Sequence, residues 1–313
     1  MAKSVFLFPG QGAQYVGMGL DFARRYPAAK AVFQEADEIL GYKLSQVIFQ
    51  GDEKELKKTE ITQPAVLTTS MAVLAVLQEE GLTPDAVAGL SLGEYSALVC
   101  AGVLSFRDAL VLVQKRAQYM QEIVPFGEGG MAAILGLTAD EVRVLCEKSL
   151  PFGHVEPANY NCPGQIVVAG HKRALEEVCR LAYEKKARAK MLSVSVPFHC
   201  RLLLPIKDKM VSLLENIPLK PPAFPFVANV NAAYLSEPEE IRASLVKQAY
   251  SPVLWEDSMN LLIKDGYDLF IEPGPGRTLT GFMKKISKDV QAIHVEDKPT
   301  LDRLLTLMEE VQT

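Results

Sequence analysis

Cysteine, histidine and surplus positive charge are all scarce in this 313-residue chain, and each scarcity removes a class of protein. Five cysteines stand at 100, 146, 162, 179 and 200, with no CxxC among them. Neither a disulfide framework nor a thiolate zinc site is expected from that spacing, and free thiols fit a reducing cytoplasm. The four histidines, at 154, 171, 199 and 294, form no HxxxH pair, so no metal site is expected. Lys and Arg total 33 against 38 Asp and Glu, a net charge of -5. A phosphate backbone selects a basic surface, so nucleic acid is not an expected partner. No run of about eighteen apolar residues occurs, so no membrane span is expected. The first apolar run, Val5 to Phe8, is too short for a signal peptide and stops at Pro9-Gly10. With 49% hydrophobic and 23% charged residues the chain is neither disordered nor fibrous. It is long enough to bury a large core in one or two domains.

What is present alternates between short apolar runs and helical periodicity. Ser4 to Phe8 reads as a strand buried on both faces, followed by the turn Pro9-Gly10-Gln11-Gly12-Ala13-Gln14. An apolar helix is predicted from near Thr62 to Glu80, and a second strand over Ala86–Leu90 runs into Ser91-Leu92-Gly93-Glu94 and a helix. Ser105 is placed to cap a long helix carrying Leu110, Val113, Ala117 and Met120. This alternation predicts an α/β fold with a mainly parallel sheet. The texture breaks at Pro125-Phe126-Gly127-Glu128-Gly129-Gly130, which reads as a hinge. Beyond it, residues 132–137, 139–148, 155–160, 165–169, 171–184 and 189–195 read strand, helix, strand, strand, helix, strand. That is the split βαβ order of a ferredoxin-like unit. After Pro197 the α/β texture resumes, with strands expected at Phe226–Val230 and Leu269–Glu272.

Gly89-Leu90-Ser91-Leu92-Gly93 fits G-x-S-x-G between a predicted strand and a predicted helix, the context of a nucleophile elbow. The alternative is a plain strand-to-helix turn. A serine hydroxyl needs a base, and elimination favours His199. His171 starts a helix, His154 lies inside the small unit, and His294 sits in a strand-like run. No Asp stands out as a third member, and a backbone carbonyl could orient the imidazole instead. The turn Gly10-Gln11-Gly12 can aim N–H groups at an oxyanion together with the N–H of Leu92; it can also be a simple strand-end turn. A phosphate loop is disfavoured, because no Gly-Lys-Ser/Thr follows. Arg116, in Gln114-Lys115-Arg116, is ordinarily a solvated helix residue by position, but a fixed guanidinium matches a carboxylate in two parallel hydrogen bonds.

Taken in order, Gly10-Gln11-Gly12-Ala13-Gln14, Gly89-Leu90-Ser91-Leu92-Gly93-Glu94, Gln114-Lys115-Arg116, Asn159-Tyr160-Asn161, Pro197-Phe198-His199 and Gly274-Pro275-Gly276 resemble the malonyl-CoA:acyl carrier protein transacylases. The resemblance spans nearly the whole chain. It implies an α/β-hydrolase-like large subdomain, residues 1–127 and 198–313, with a ferredoxin-like subdomain, residues 128–197, inserted. It implies Ser91 as the nucleophile, His199 as its base, and the backbone N–H groups of Gln11 and Leu92 as the oxyanion hole. Arg116 would bind the malonyl carboxylate, Gln63 and Asn161 would line the pocket, and the carbonyl of Gln248 would orient His199. Malonyl-CoA is then a substrate, no cofactor or metal is bound, acyl carrier protein is the acceptor, and a cytoplasmic monomer acting by a ping-pong cycle is expected.

Three positions bear on acyl choice and family pattern. Leu90 stands where many members have His, and cannot hydrogen-bond to an acyl group. Phe198 accompanies malonyl rather than branched substrates in related acyltransferases. Arg277 stands where Lys is frequent. The acceptor carrier protein could serve fatty acid or polyketide synthesis. A serine thioesterase would share Ser91 and His199 but would not need Arg116. Residues 171–190 hold seven basic side chains against three acidic ones, a candidate docking patch for an acidic carrier protein, although charge runs on helices are commonly just solvated.

Overall fold

Strand β1, Ser4–Phe8, is buried along its whole length. Its alternate side chains enter different cores, Phe6 and Phe8 on one face and Val5 and Leu7 on the other. That two-sided burial is what a continuous apolar run in a parallel sheet requires. In the computed structural model, which describes residues 3–124, 127–194 and 196–312, β1 is central in the larger of two sheets. The other strands of that sheet are β2 (Ala86–Gly89), β7 (Phe226–Ala228), β8 (Ala233–Tyr234), β9 (Leu269–Pro273) and β10 (Gln291–Val295), in the order β10-β9-β1-β2-β7-β8. All pairings are parallel except β7 with β8. The chain segments leaving β1, β2, β7 and β9 therefore emerge at one end of the sheet, where open α/β sheets bind ligands.

The second sheet contains β3 (Gly129–Leu135), β4 (Val155–Cys162), β5 (Gln165–His171) and β6 (Arg188–Met191), antiparallel and ordered β4-β5-β3-β6. Its two helices, Ala139–Ser149 and Lys172–Glu184, close a separate apolar cluster that includes Ile134, Leu145, Val168 and Val178. Together the two sheets make an α/β fold of mixed character. Strand β6 is shorter than its sequence predicts and mostly exposed, with Arg188 and Lys190 guarding a sheet edge. Pro125 and Phe126 of the expected hinge, and Ser195 at the end of the expected last strand, lie outside the described residues. Strand β7 ends two residues early, because Asn229 leaves the ladder to bond the turn after β2.

Helix α1, Thr59–Glu79, begins three residues ahead of its predicted start. By length and hydropathy it could cross a bilayer, yet 83% of its apolar window is buried inside the molecule. It is a core helix, apolar all round because protein surrounds it. Helix α2 (Gly93–Cys100) follows β2, and helix α3 (Phe106–Ile123) begins at the predicted cap, where Ser105 Oγ accepts from Asp108 N–H.

Two glycines permit the β2–α2 turn. A Cβ on Gly89 would lie 1.9 Å from the Gly93 carbonyl oxygen, and one on Gly93 would lie 2.0 Å from that of Phe8. Both obstacles are backbone, which cannot rotate aside. Gly93→Ala should therefore cost about 3 kcal/mol, the upper end of overpacking penalties. Among the described residues, Gly281, inside the helix Thr278–Ile286, has nothing beyond its chain neighbours and its own helix backbone within 4 Å of its Cβ position. Gly281→Ala should gain about 0.4 to 1 kcal/mol by restricting the unfolded chain. Urea denaturation of the two variants checks both signs.

Candidate active site

Ser91 sits between β2 and α2 with φ of 54°, a left-handed conformation uncommon for a residue with a side chain. Two hydrogen bonds from one side chain hold this strained turn. Asn229 Oδ1 accepts from Ser91 N–H at 2.7 Å, and Asn229 Nδ2 donates to the Gly89 carbonyl at 2.7 Å. The hydroxyl is thereby held half-exposed at the helix N-terminus. The backbone N–H groups of Gln11 and Leu92 have no acceptor among the described residues. Gln11 also donates through Nε2 to Thr59 Oγ1 at 3.3 Å, tying the β1 turn to the start of α1.

His199 is buried and lies across the cleft from the elbow, also left-handed, with φ of 61°. Its Nε2 is 2.5 Å from Ser91 Oγ, and its Nδ1 is 2.8 Å from the carbonyl oxygen of Gln248. A carbonyl can only accept, so Nδ1 carries the proton and Nε2 presents its lone pair to the serine. Burial, and secondarily the Arg116 charge, push the imidazole pKa down to about 3, against the upward pull of backbone acceptors. The free base is the resting form.

Arg116, on α3, is only 1% exposed. Nη1 donates to Gln63 Oε1 at 2.8 Å and Nη2 to Gln248 Oε1 at 2.9 Å, while Nη2 also lies 3.5 Å from Ser91 Oγ. The Tyr95 ring is 5.6 Å from the guanidinium carbon. Among the described residues no carboxylate comes within salt-bridge distance of it, and Nε has no hydrogen-bond partner. Burying a cation without an anion is costly, so this site favours an anionic ligand. Each Nη keeps a further N–H beyond its amide contact, enough for a two-pronged grip on a carboxylate.

The structure thus brings together Ser91, His199, Arg116, Gln63 and Gln248, with Gln11 and Leu92 at the flanking turns. Asn161 is not hydrogen-bonded to this group among the described residues; its buried Oδ1 has no partner. Sequence reasoning missed three features. Asn229, the residue after β7, clamps the elbow. Glu94 Oε2 accepts from Gln248 Nε2 at 2.8 Å and from Asn229 N–H at 3.4 Å. The Gln248 side chain also donates to the Ser91 carbonyl at 2.8 Å. Glu94 had a local signal, a charged residue in an otherwise apolar helix start. Asn229 and the Gln248 side chain had none.

A hydroxyl facing a neutral imidazole can accept an acyl group and pass it to a second nucleophile, the chemistry of serine acyltransferases. A family model described as acyl transferase domain matches residues 5–306. The chain is 47% identical to the malonyl CoA-acyl carrier protein transacylase of Bacillus subtilis, covering 99% of this chain and 98% of that protein. It is 44% identical to that of Escherichia coli K12, over 98% and 100%. The crystal structure of the transacylase from Clostridium perfringens superimposes with a TM-score of 0.95 at 43% identity, covering 99% and 98%. A malonyl-transacylase in complex with a type II PKS acyl-carrier protein gives 0.95 at 43% identity, over 97% and 99%. The chain belongs to the malonyl-CoA:acyl carrier protein transacylase family of acyltransferases.

The depressed His199 pKa has a defined consequence. Between about pH 3 and 6.5 an unfolded chain binds a proton at this histidine and the folded chain does not. The group therefore costs stability as pH falls through that window. Ser91 should react with a serine-directed phosphonofluoridate without an acidic limb near pH 6.5. In Arg116→Gln, which removes the neighbouring charge, the limb should move upward. A wild-type limb at 6.5 in a stopped pH-rate series would contradict the assignment.

Proposed function

We propose that this protein transfers the malonyl group of malonyl-CoA to the phosphopantetheine thiol of acyl carrier protein, for fatty acid synthesis, through a malonyl-serine ester on Ser91. The observation that carries this reading is the buried Arg116 guanidinium, without a carboxylate partner among the described residues and 3.5 Å from the serine hydroxyl. A thioesterase would have no use for that charge. The names of the relatives point the same way.

In the first half-reaction Ser91 Oγ attacks the thioester carbonyl and its proton passes to His199 Nε2. The Gln11 and Leu92 N–H groups take the developing oxyanion while Arg116 grips the distal carboxylate. The tetrahedral species expels the CoA thiolate, which takes the proton from His199. The carrier protein thiol then gives its proton to His199 and attacks the ester, and Ser91 Oγ leaves with that proton. Every group ends as it began, as a ping-pong cycle requires. No metal or cofactor is called on. Gln63 and Gln248 hold the guanidinium, and Asn161 is assigned to the same pocket.

The two sheets support a division into an α/β-hydrolase-like large subdomain, residues 1–127 and 198–313, and an inserted ferredoxin-like subdomain, residues 128–197. A cytoplasmic location fits the free cysteines, and a monomer is part of the same proposal. A polyketide carrier protein is the second acceptor reading, favoured by the likeness to a transacylase bound to such a carrier.

The basic segment is partly neutralised at home. Arg180 pairs with Glu177 and Glu184, and Lys185 with Glu141. Among the described residues Lys186, Arg188 and Lys190 have no ion pair, so they are the better docking candidates. Reversing these three to Glu should raise KM for an acidic carrier protein and flatten its salt dependence, with a smaller change for malonyl-CoA. Unchanged carrier kinetics at low salt would move docking to Lys284, Lys285 and Lys288.

Intact mass spectrometry tests the core of the proposal. Malonyl-CoA alone should add one malonyl mass at Ser91, and Ser91→Ala should gain none. His199→Ala should slow loading by about 10²- to 10⁴-fold. Arg116→Ala should lose malonyl loading by about 10- to 150-fold and gain relative acetyl loading, with Lys restoring little. Label on Cys200, beside the base, would refute the serine intermediate.

A further inference from the structure

Glu94 lies three residues after the nucleophile, fully buried, and no step of the proposed reaction touches it. Both of its contacts fall on one oxygen, Oε2, which accepts from Gln248 Nε2 at 2.8 Å and from Asn229 N–H at 3.4 Å. Oε1 has no hydrogen-bond partner among the described residues. The two residues it holds are the two that build the site from the far strand and helix. Asn229 clamps the elbow. Gln248 ends the helix Pro238–Gln248, and its side chain reaches Arg116.

The Gln248 amide has two nearly isosteric ends with opposite roles. Its Nε2 faces two acceptors, Glu94 Oε2 and the Ser91 carbonyl. Its Oε1 faces the Arg116 Nη2 donor. Its backbone carbonyl, by contrast, holds His199 and is fixed by the chain rather than by this amide. Loosening the side chain should therefore disturb the guanidinium more than the base. Arg116 would then keep only Gln63 as its second anchor.

We propose that Glu94 is a positioning residue for acyl selection: it pins the Gln248 side-chain amide so that Oε1 holds Arg116 in the orientation that receives a substrate carboxylate. The inference rests on the malonyl-transfer reading and deepens it. Burial pushes the Glu94 carboxyl up to about 7, with Gln248, Asn229 and the Arg116 charge opposing the rise. A proton taken on the partnerless Oε1 leaves the Oε2 contacts in place, so the device works with the carboxyl charged or neutral. Among the described residues the Arg116 charge acts on it, burial and secondarily Glu94 raise the Tyr95 hydroxyl, and His199 is held by the backbone carbonyl of Gln248.

The test compares kcat/KM for malonyl-CoA and acetyl-CoA in the full-length protein. Wild type is read first: loading acetyl as readily as malonyl would overturn the functional reading and this inference with it. Given wild-type discrimination, Glu94→Leu should lower the malonyl-to-acetyl ratio about 10-fold, mainly through malonyl KM, the size expected for losing one charge-assisted contact. Glu94→Gln, which keeps an acceptor for Gln248 Nε2, should restore most of the ratio. Gln248→Leu should lower the ratio similarly, and the double variant should fall no further than either single one, because both act through one contact. A ratio unchanged in Glu94→Leu, or additive losses in the double variant, overturns the proposal. If Glu94→Leu does not fold, Gln248→Leu decides: an unchanged ratio there removes the route from Glu94 to Arg116.

Discussion

A guanidinium buried beside a serine hydroxyl, with no carboxylate within salt-bridge distance among the described residues, is the constraint around which this site is arranged. A direct ion pair would settle the charge but fill the N–H fork. The protein uses amide oxygens instead, Gln63 from α1 and Gln248 from the opposite side of the cleft. Amides supply partial negative charge and directional acceptors while leaving further N–H groups for a ligand. Glu94, a carboxyl group whose charge acts on Arg116, bonds the far end of the Gln248 amide rather than the guanidinium. The same positive charge helps to keep His199 neutral, so acyl recognition and base strength share one cause.

The second constraint is backbone strain. Ser91 and His199 both occupy left-handed conformations, each costing of order 1 to 3 kcal/mol for a residue with a side chain. Such strain persists only where surrounding contacts over-determine it. At Ser91 the Asn229 side chain grips both sides of the turn, while Gly89 and Gly93 allow helix and strand to approach. At His199 the backbone N–H donates to the Ala249 carbonyl at 3.2 Å, next to the Gln248 carbonyl that takes the ring proton. Nucleophile and base are thus held by neighbouring groups of one buried network.

What the sequence made legible was local. The elbow, the Ser105 cap and the alternation of strands and helices each depend on residues a few positions apart, so spacing alone carries them. The buried role of Arg116 was not legible from its helix position, which suggests solvation; its guanidinium chemistry made it a candidate, and the resemblance gave it the carboxylate-binding role. Asn229 and the Gln248 side chain were silent, because their partners lie more than 130 residues away in the chain. Strand β7 was over-extended by two residues for the same reason: Val227 to Asn229 looks like strand until the elbow claims Asn229. The basic segment was read by counting charges. Its effective charge is smaller than that count, because Lys185 is paired with Glu141, a carboxylate outside the segment.

The join between the two sheets bears directly on the base. Asn159 bridges to Val253, Tyr160 N–H donates to the Val253 carbonyl, and Val253 N–H donates to the Ala158 carbonyl. Strand β4 therefore pairs outside its own sheet with a segment only a few residues beyond Gln248 and Ala249. Those two residues hold the His199 ring and backbone. At the other crossing Gly129 packs so closely on Pro197 that a Cβ would lie 2.7 Å from the proline ring, two residues before the base. His199 is consequently gripped on both sides by backbone that also fixes the small sheet. A shift of one sheet against the other would move Nε2 relative to Ser91 Oγ, and at 2.5 Å that contact leaves little room before the proton transfer is lost. The packing between the sheets is part of the geometry that sets the base.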